Sequence, residues 1–330
     1  MKAAVIGSGA WGTAFAKVLG EAGADVTMWA RRRAVASEIA EWRTNEGSLP
    51  GVRLPEQVTG TDDLAAATAG ADLIAIAVPS QTLRGNLAEW AGSFGPDATI
   101  ISLMKGIELG TTKRMSEVIV ETAGVEVDRV VVVSGPNLAP EIAAEQPAAT
   151  VVAGTDPGRT QLVQQAIALP YLRPYTSDDV IGCELGGAVK NVIALAAGIA
   201  EGLGFGDNTR ASLITRGLAE TARLGMELGA ELTTFAGLAG LGDLVATCSS
   251  PLSRNRTFGE RLGRGMTVEQ VQHSTRQTAE GVKSCRSVLD LARAHGIDVP
   301  ITEAVVRVCH EGEEPAQMVR EIMSREAKPE

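Results

Sequence analysis

A chain of 330 residues, 45% of them apolar and 21% charged, is long enough for one large or two ordinary domains with real hydrophobic cores. Aromatic residues make up only 3%, so those cores must be built from Ala, Val, Leu and Ile. A formal charge of −10 argues against a general nucleic-acid or membrane surface, which needs a basic field, yet leaves room for small basic pockets that hold anionic ligands.

From the N-terminus, residues 1–176 alternate between short β-branched runs and amphipathic stretches. The runs Lys2–Gly7, Asp25–Trp29, Leu73–Val78, Thr99–Ser102, Arg129–Ser134, Ala149–Ala153 and Leu172–Tyr175 read as strands. Helical spacing lies between them near 10–22, 32–42, 80–91, 114–122 and 157–168. Such alternation, with strands apolar on both sides, predicts an α/β domain: a Rossmann-like, doubly wound, mainly parallel sheet covered on both faces. Past residue 176 the β-branched runs stop. Helical spacing dominates 177–200, 209–228, 254–263, 277–294 and 314–323, so residues 177–330 are expected to form an all-helical substrate and catalytic domain.

The glycines at 7, 9 and 12 interrupt the apolar N-terminal stretch and rule against a helical signal core. No uninterrupted run of 18 apolar residues follows; the nearest, Leu185–Ala200, contains Lys190 and Asn191. The expectation is a soluble, cytoplasmic protein without membrane insertion. Four cysteines with no CxxC spacing suggest free thiols, and three histidines argue against a metal site.

Gly7-Ser-Gly9-Ala-Trp11-Gly12 follows the first strand and opens the first helix. In that context GxGxxG is a dinucleotide signature. Gly7 permits the tight turn, Gly9 lets the backbone approach the pyrophosphate, and Gly12 lets helix and strand pack closely. At the end of the second strand, where NAD-specific sites carry a carboxylate, stand Arg31, Arg32 and Arg33. Cations there suit a 2′-phosphate, so NADP(H) is favoured, with NAD(H) use also allowed.

Other polar groups stand where packing alone would not choose them. Lys105 and the Ser134-Gly135-Pro136-Asn137 run follow strands, at the carboxyl edge where open sheets bind ligands. Lys190 lies among residues that read as buried; it either snorkels to a surface or reaches an anion. Asp243 could supply that anion. Ser253, Arg254 and Asn255 open a helix, and an arginine beside helix-start N–H groups makes a phosphate cradle.

Several segments together resemble the prokaryotic-type NAD(P)-dependent sn-glycerol-3-phosphate dehydrogenases. They are GSGAWGTAFA at 7–16, LPGVRLP at 49–55, KGIE at 105–108, SGPNLAPEIA at 134–143, GGAVKNVIALAAGI at 186–199, GLGDLVATC at 240–248, SRNRTFGERLG at 253–263 and AEGV at 279–282. The resemblance implies reversible reduction of dihydroxyacetone phosphate to sn-glycerol 3-phosphate, feeding glycerophospholipid synthesis, by a homodimer. It implies that Lys190 is the general acid/base and Asp243 its partner. Substrate contacts would fall on Lys105, Gly135, Asn137, Lys190, Asp243, Ser253, Arg254 and Asn255. Cofactor contacts would fall on Gly7, Gly9, Ala10, Trp11, Gly12, Arg31, Arg32, Lys105, Ala139, Arg254, Thr278 and Glu280. The family often has a tyrosine where this chain has Ser48, and SGPSHAEE where it has SGPNLAPE. A β-hydroxyacid dehydrogenase or ketopantoate reductase-like enzyme is the alternative reading, and a non-catalytic NADP-binding sensor the non-enzymatic one.

Overall fold

The computed structural model describes residues 1–274 and 279–324 and divides into two compact units. Unit 1 comprises Met1–Lys105 and Lys113–Glu184; unit 2 comprises Gly106–Thr112 and the chain from Leu185 onward.

Unit 1 runs β1 (Lys2–Ile6), α1 (Ala10–Glu21), β2 (Asp25–Trp29), α2 (Arg33–Trp42), β3 (Val58–Thr61), α3 (Leu64–Thr68), β4 (Leu73–Ile76), α4 (Leu83–Trp90), β5 (Thr99–Ser102), α5 (Met115–Ala123), β6 (Val130–Ser134), α6 (Ala139–Ala143), β7 (Ala148–Gly154), α7 (Pro157–Ala166) and β8 (Leu172–Ser177). The strands form one sheet in the order β3-β2-β1-β4-β5-β6-β7-β8. Neighbours are parallel, except that β7 runs antiparallel to β6. The chain builds outward from β1 through β2 to β3, then crosses to β4 and builds the other way. The switch lies between β1 and β4, where the carboxyl ends of such sheets open a crevice for ligands.

Strand alternation fills both faces. Val5, Leu73, Ala75, Ile101 and Val133 pack with Phe15 and Leu19 of α1, Ile39 of α2 and Val163 of α7. Ile6, Ile74, Ile76 and Ile100 pack with Leu83 and Leu87 of α4 and Val118 and Ile119 of α5. Burying each such side chain contributes about 1.5–3 kcal/mol. The unbroken apolar strands therefore follow from a sheet covered on both sides.

Two elements of unit 1 lie outside the sequence expectation. β3 reads VTGT and lacks an apolar run because it is an edge strand; its Gly60 lets α2 approach, and a Cβ there would lie 2.5 Å from the Ala36 carbonyl oxygen. α3 has only five residues, too few for a helical period to register.

α8 (Val180–Gly202) begins in unit 1 and continues in unit 2. Its first turn is held by Glu184. That carboxylate accepts from the Ser116 backbone N–H at 2.8 Å, the Ser116 hydroxyl at 2.6 Å and Arg114 Nη1 at 2.8 Å, and so closes the start of α5. Burial pushes its pKa up, against the pull of Arg114 and Ser116.

Unit 2 then runs α9 (Asp207–Glu227), α10 (Leu232–Ala236), a π turn over Leu238–Gly242, α11 (Asp243–Ser249), α12 (Arg254–Gly263), α13 (Val268–Ser274), α14 (Glu280–Ala294), α15 (Pro300–Val306), a second π turn over Arg307–Glu311 and α16 (Pro315–Ser324). By length and apolarity α8 could cross a membrane, with a mean hydropathy of 1.5, but 89% of that stretch is buried inside the protein. It is a core helix. α12 crosses it at backbone contact: a Cβ on Gly259 would lie 2.2 Å from the Leu195 carbonyl oxygen, and one on Gly198 would lie 2.0 Å from that of Arg256. This approach carries the residues at the start of α12 to those in the middle of α8.

Candidate active site

The glycine turn sits at the sheet's switch point. Gly7 has φ +118°, and a Cβ there would lie 2.5 Å from the carbonyl oxygen of Ala77, just past β4. A Cβ on Gly12 would lie 2.2 Å from the Gly7 carbonyl oxygen. Both must be glycine for the turn to close and for α1 to seat. Gly9 differs, since a Cβ there would meet nothing within 4 Å. It is the N-cap of α1, no side chain caps the helix, and its first turn carries no acidic residue. The first-turn N–H groups of α1, beginning at Ala10, are therefore available to an anion. Trp11 packs edge-on against Phe15 at 5.7 Å, and its Nε1 is buried without a partner. From the outside, Asn45 Nδ2 donates to the Ser8 carbonyl at 2.9 Å and to Thr13 Oγ1 at 2.8 Å. Ser48 Oγ donates to the same carbonyl at 2.8 Å, so this hydroxyl braces the turn. The arrangement fits a dinucleotide pyrophosphate.

Arg31 and Arg32 follow β2 and are exposed. Arg31 Nη2 donates to Asn86 Oδ1 at 3.0 Å, and Arg32 occupies the N-cap of α2. Ala139, buried, is the first residue of α6. Glu280 is the first residue of α14, and Thr278 lies outside the described residues.

At the carboxyl edge of β5 and β6, Lys105 Nζ donates to the Gly135 carbonyl at 2.8 Å. Gly135 has φ +141°, which frees the chain to turn sharply after β6. Asn137 Nδ2 donates to Thr150 Oγ1 at 3.0 Å, and Thr150 Oγ1 donates to the Ser134 carbonyl at 3.1 Å. Lys105, Gly135 and Asn137 thus converge in unit 1.

In unit 2, Lys190 of α8 is 9% exposed and Asp243 of α11 is 1% exposed, and the two form an ion pair. The π turn ends at Gly242 and delivers Asp243 to that position. Thr247, one helical turn later, accepts from Lys190 Nζ at 2.9 Å and donates to Asp243 Oδ1 at 3.3 Å. Of Lys190's two readings, snorkelling or an anion partner, the second is the observed one. Cys248 lies beside this group, but burial pushes its thiol up to about 12, so it stays protonated and is no nucleophile.

Ser253 is the N-cap of α12 and accepts from the Arg256 N–H at 3.2 Å; Arg254 is the first helical residue and is exposed. Asn255 is buried. Its Nδ2 donates to Asn191 Oδ1 at 2.9 Å, and its Oδ1 accepts from the Gly281 N–H at 3.0 Å. It therefore ties α12 to α8 and to the start of α14.

Sequence reasoning passed over Thr247, Asn191 and Thr150. The four-residue spacing from Asp243 on a helix could have found Thr247. Asn191 stands beside Lys190 with no periodicity to mark it, and Thr150 reaches Asn137 only through β6–β7 pairing. Among the described residues no group of three or more His, Cys, Asp or Glu is placed to hold a metal ion.

The family profile described as the NAD-dependent glycerol-3-phosphate dehydrogenase N-terminus matches residues 2–159, and the profile for its C-terminus matches 179–320. Relatives from Streptomyces avermitilis and Streptomyces griseus, each named glycerol-3-phosphate dehydrogenase, NAD(P)+, are 62% identical over 330 residues, which is 100% of this chain and 98% of each relative. The solved glycerol-3-phosphate dehydrogenase of Coxiella burnetii is 37% identical with a TM-score of 0.94, covering 98% of this chain and 99% of that one.

Proposed function

Because the chain belongs to the NAD-dependent glycerol-3-phosphate dehydrogenase family, we propose that it interconverts dihydroxyacetone phosphate and sn-glycerol 3-phosphate with NAD(P)(H). The observation that carries the reading is the buried Lys190–Asp243 ion pair, in a chain whose other unit bears an open dinucleotide turn.

When bound, NAD(P)H supplies a hydride for the carbonyl carbon. Lys190 Nζ supplies the proton as negative charge develops on the carbonyl oxygen, and in reverse the neutral amine takes the proton of the alcohol. Asp243 answers the buried ammonium, which would otherwise be costly, and Thr247 holds both groups in place. Arg254 and the N–H groups at the start of α12 bind the substrate phosphate, with Ser253 and Asn255 fixing that end of the helix. Lys105, Gly135 and Asn137 contact the substrate from the sheet edge. The first turn of α1 takes the pyrophosphate. Arg31 and Arg32 read a 2′-phosphate and favour NADP(H) over NAD(H). Ala139, Thr278 and Glu280 are carried over as further cofactor contacts on family membership, as are the homodimer, the cytoplasmic location and the supply of glycerophospholipid synthesis.

Oxidation of NADPH and of NADH, followed side by side with dihydroxyacetone phosphate and with short 2-keto and 3-keto acids, tests the reading. Dihydroxyacetone phosphate should be reduced and the keto acids left. Faster turnover of a keto acid would overturn it in favour of a hydroxyacid dehydrogenase.

A further inference from the structure

We propose that Thr150 is a positioning residue that sets Asn137 as a hydrogen-bond acceptor for the substrate's free primary hydroxyl. In doing so it sets a preference for a hydroxymethyl ketone over a methyl ketone. The proposal rests on the reading above.

β7 pairs antiparallel with β6, Ser134 facing Val151, and this lays Thr150 beside the chain leaving β6. Thr150 is 1% exposed and has one hydroxyl proton, which it spends on the Ser134 carbonyl at 3.1 Å. Toward Asn137 its oxygen can therefore only accept. That requires the nitrogen of the Asn137 amide to face Thr150, at 3.0 Å, and its oxygen to face away. The amide orientation is thus imposed by chemistry. Asn137 Oδ1 is left buried with no partner. A buried acceptor without a donor is costly, and Asn137 stands two residues after Gly135, whose carbonyl accepts from Lys105, so this position at the sheet edge points to a ligand that brings one.

The substrate's groups are then easily sorted. A phosphate dianion and a ketone oxygen only accept, and an amide oxygen repels both. Dihydroxyacetone phosphate carries one O–H donor, the free primary hydroxyl, and that group suits Asn137 Oδ1. Gly135 protects the arrangement, because a Cβ there would come within 3.2 Å of Thr150 Cα and 3.4 Å of its Oγ1.

The test compares kcat/KM for dihydroxyacetone phosphate with that for hydroxyacetone phosphate, which has a methyl group in place of the hydroxymethyl. Wild type should prefer the first. Thr150→Val should lower that preference ratio about tenfold, the worth of one neutral hydrogen bond. Thr150→Ser, which keeps the hydroxyl, should restore the ratio to within about threefold. Should Thr150→Val fail to fold, Thr150→Ala removes the same hydroxyl and makes the same comparison. An unchanged ratio in the tested variant overturns the assignment. So does a Thr150→Ser variant as impaired as Thr150→Val, or a loss that falls on the KM for NADPH instead. A wild-type protein that reduces neither ketone overturns the dehydrogenase reading itself, which separates the two failures.

Discussion

Lys190 and Asp243 compensate each other in a place where neither would be tolerated alone. Both are nearly dry, and Thr247 bridges them with one hydrogen bond to each. If Lys190 is the proton donor, Lys190→Ala should lower kcat by ~10²–10⁴, the usual range for acid–base groups, and a loss of less than ~10-fold would exclude it from that role. The substitution also strands a buried carboxylate, so circular dichroism must first establish that the variant is folded. At the cofactor end, replacing Arg31 and Arg32 together with Ala should raise the KM for NADPH by at least ~10-fold and leave NADH much less affected. Equal weakening of both would mean that these exposed arginines do not read the 2′-phosphate. Lys190 and the glycine turn were legible in the sequence because each breaks a local rule: a lysine in an apolar helix, and glycines where a helix begins. Thr150 breaks no rule, and its contact with Asn137 is created only when β7 folds back along β6.

Long periodic elements were legible for the same physical reason that they are stable, since an apolar face must match a partner. β3 and α3 escaped because an edge strand and a one-turn helix need little apolar surface. Contacts between helices were the least legible, and Glu220 is an instance. It lies on α9, 2% exposed, and accepts from the Ile301 N–H at 2.7 Å and the Thr302 N–H at 3.4 Å. These are first-turn donors of α15, which has no N-cap side chain of its own. Burial pushes the Glu220 pKa from 4.5 up to about 7, although the two N–H groups pull it down. Because the folded pKa lies above the unfolded one, the folded state retains a proton that the unfolded state has released. Stability from this group is therefore fully present below about pH 4.5 and is lost as pH rises toward 7, by about 3 kcal/mol in all. Glu220→Gln removes the titration but keeps an acceptor for Ile301. Its unfolding midpoint should fall less than that of the wild type between pH 5 and pH 8; parallel profiles would show that Glu220 does not titrate in that window.

At the scale of the whole molecule, the division between units does not coincide with the end of the sheet. Composition changes at residue 176, where the β-branched runs stop, and that is all a sequence can register. The first turn of α8 nevertheless belongs with unit 1, because Glu184 is the buried partner of Ser116 and Arg114 at the start of α5. A fragment of residues 1–177, which ends with β8, lacks that carboxylate and leaves the Ser116 N–H and hydroxyl without their acceptor. A fragment of residues 1–187 retains it. Both lose the rest of the helical unit equally, so the difference between them isolates the first turn of α8. Breaking a buried ion pair by removing one partner costs about 3–5 kcal/mol. A unit of this size shifts by about 2–4 °C per kcal/mol. The longer fragment should therefore melt roughly 6–20 °C above the shorter one. Glu184→Ala within the longer fragment should erase most of that gap. If the two fragments melt together, Glu184 contributes nothing to unit 1 and the division belongs at the end of β8. If they differ but Glu184→Ala leaves the gap open, the stabilisation comes from the apolar residues of that first turn rather than from the carboxylate.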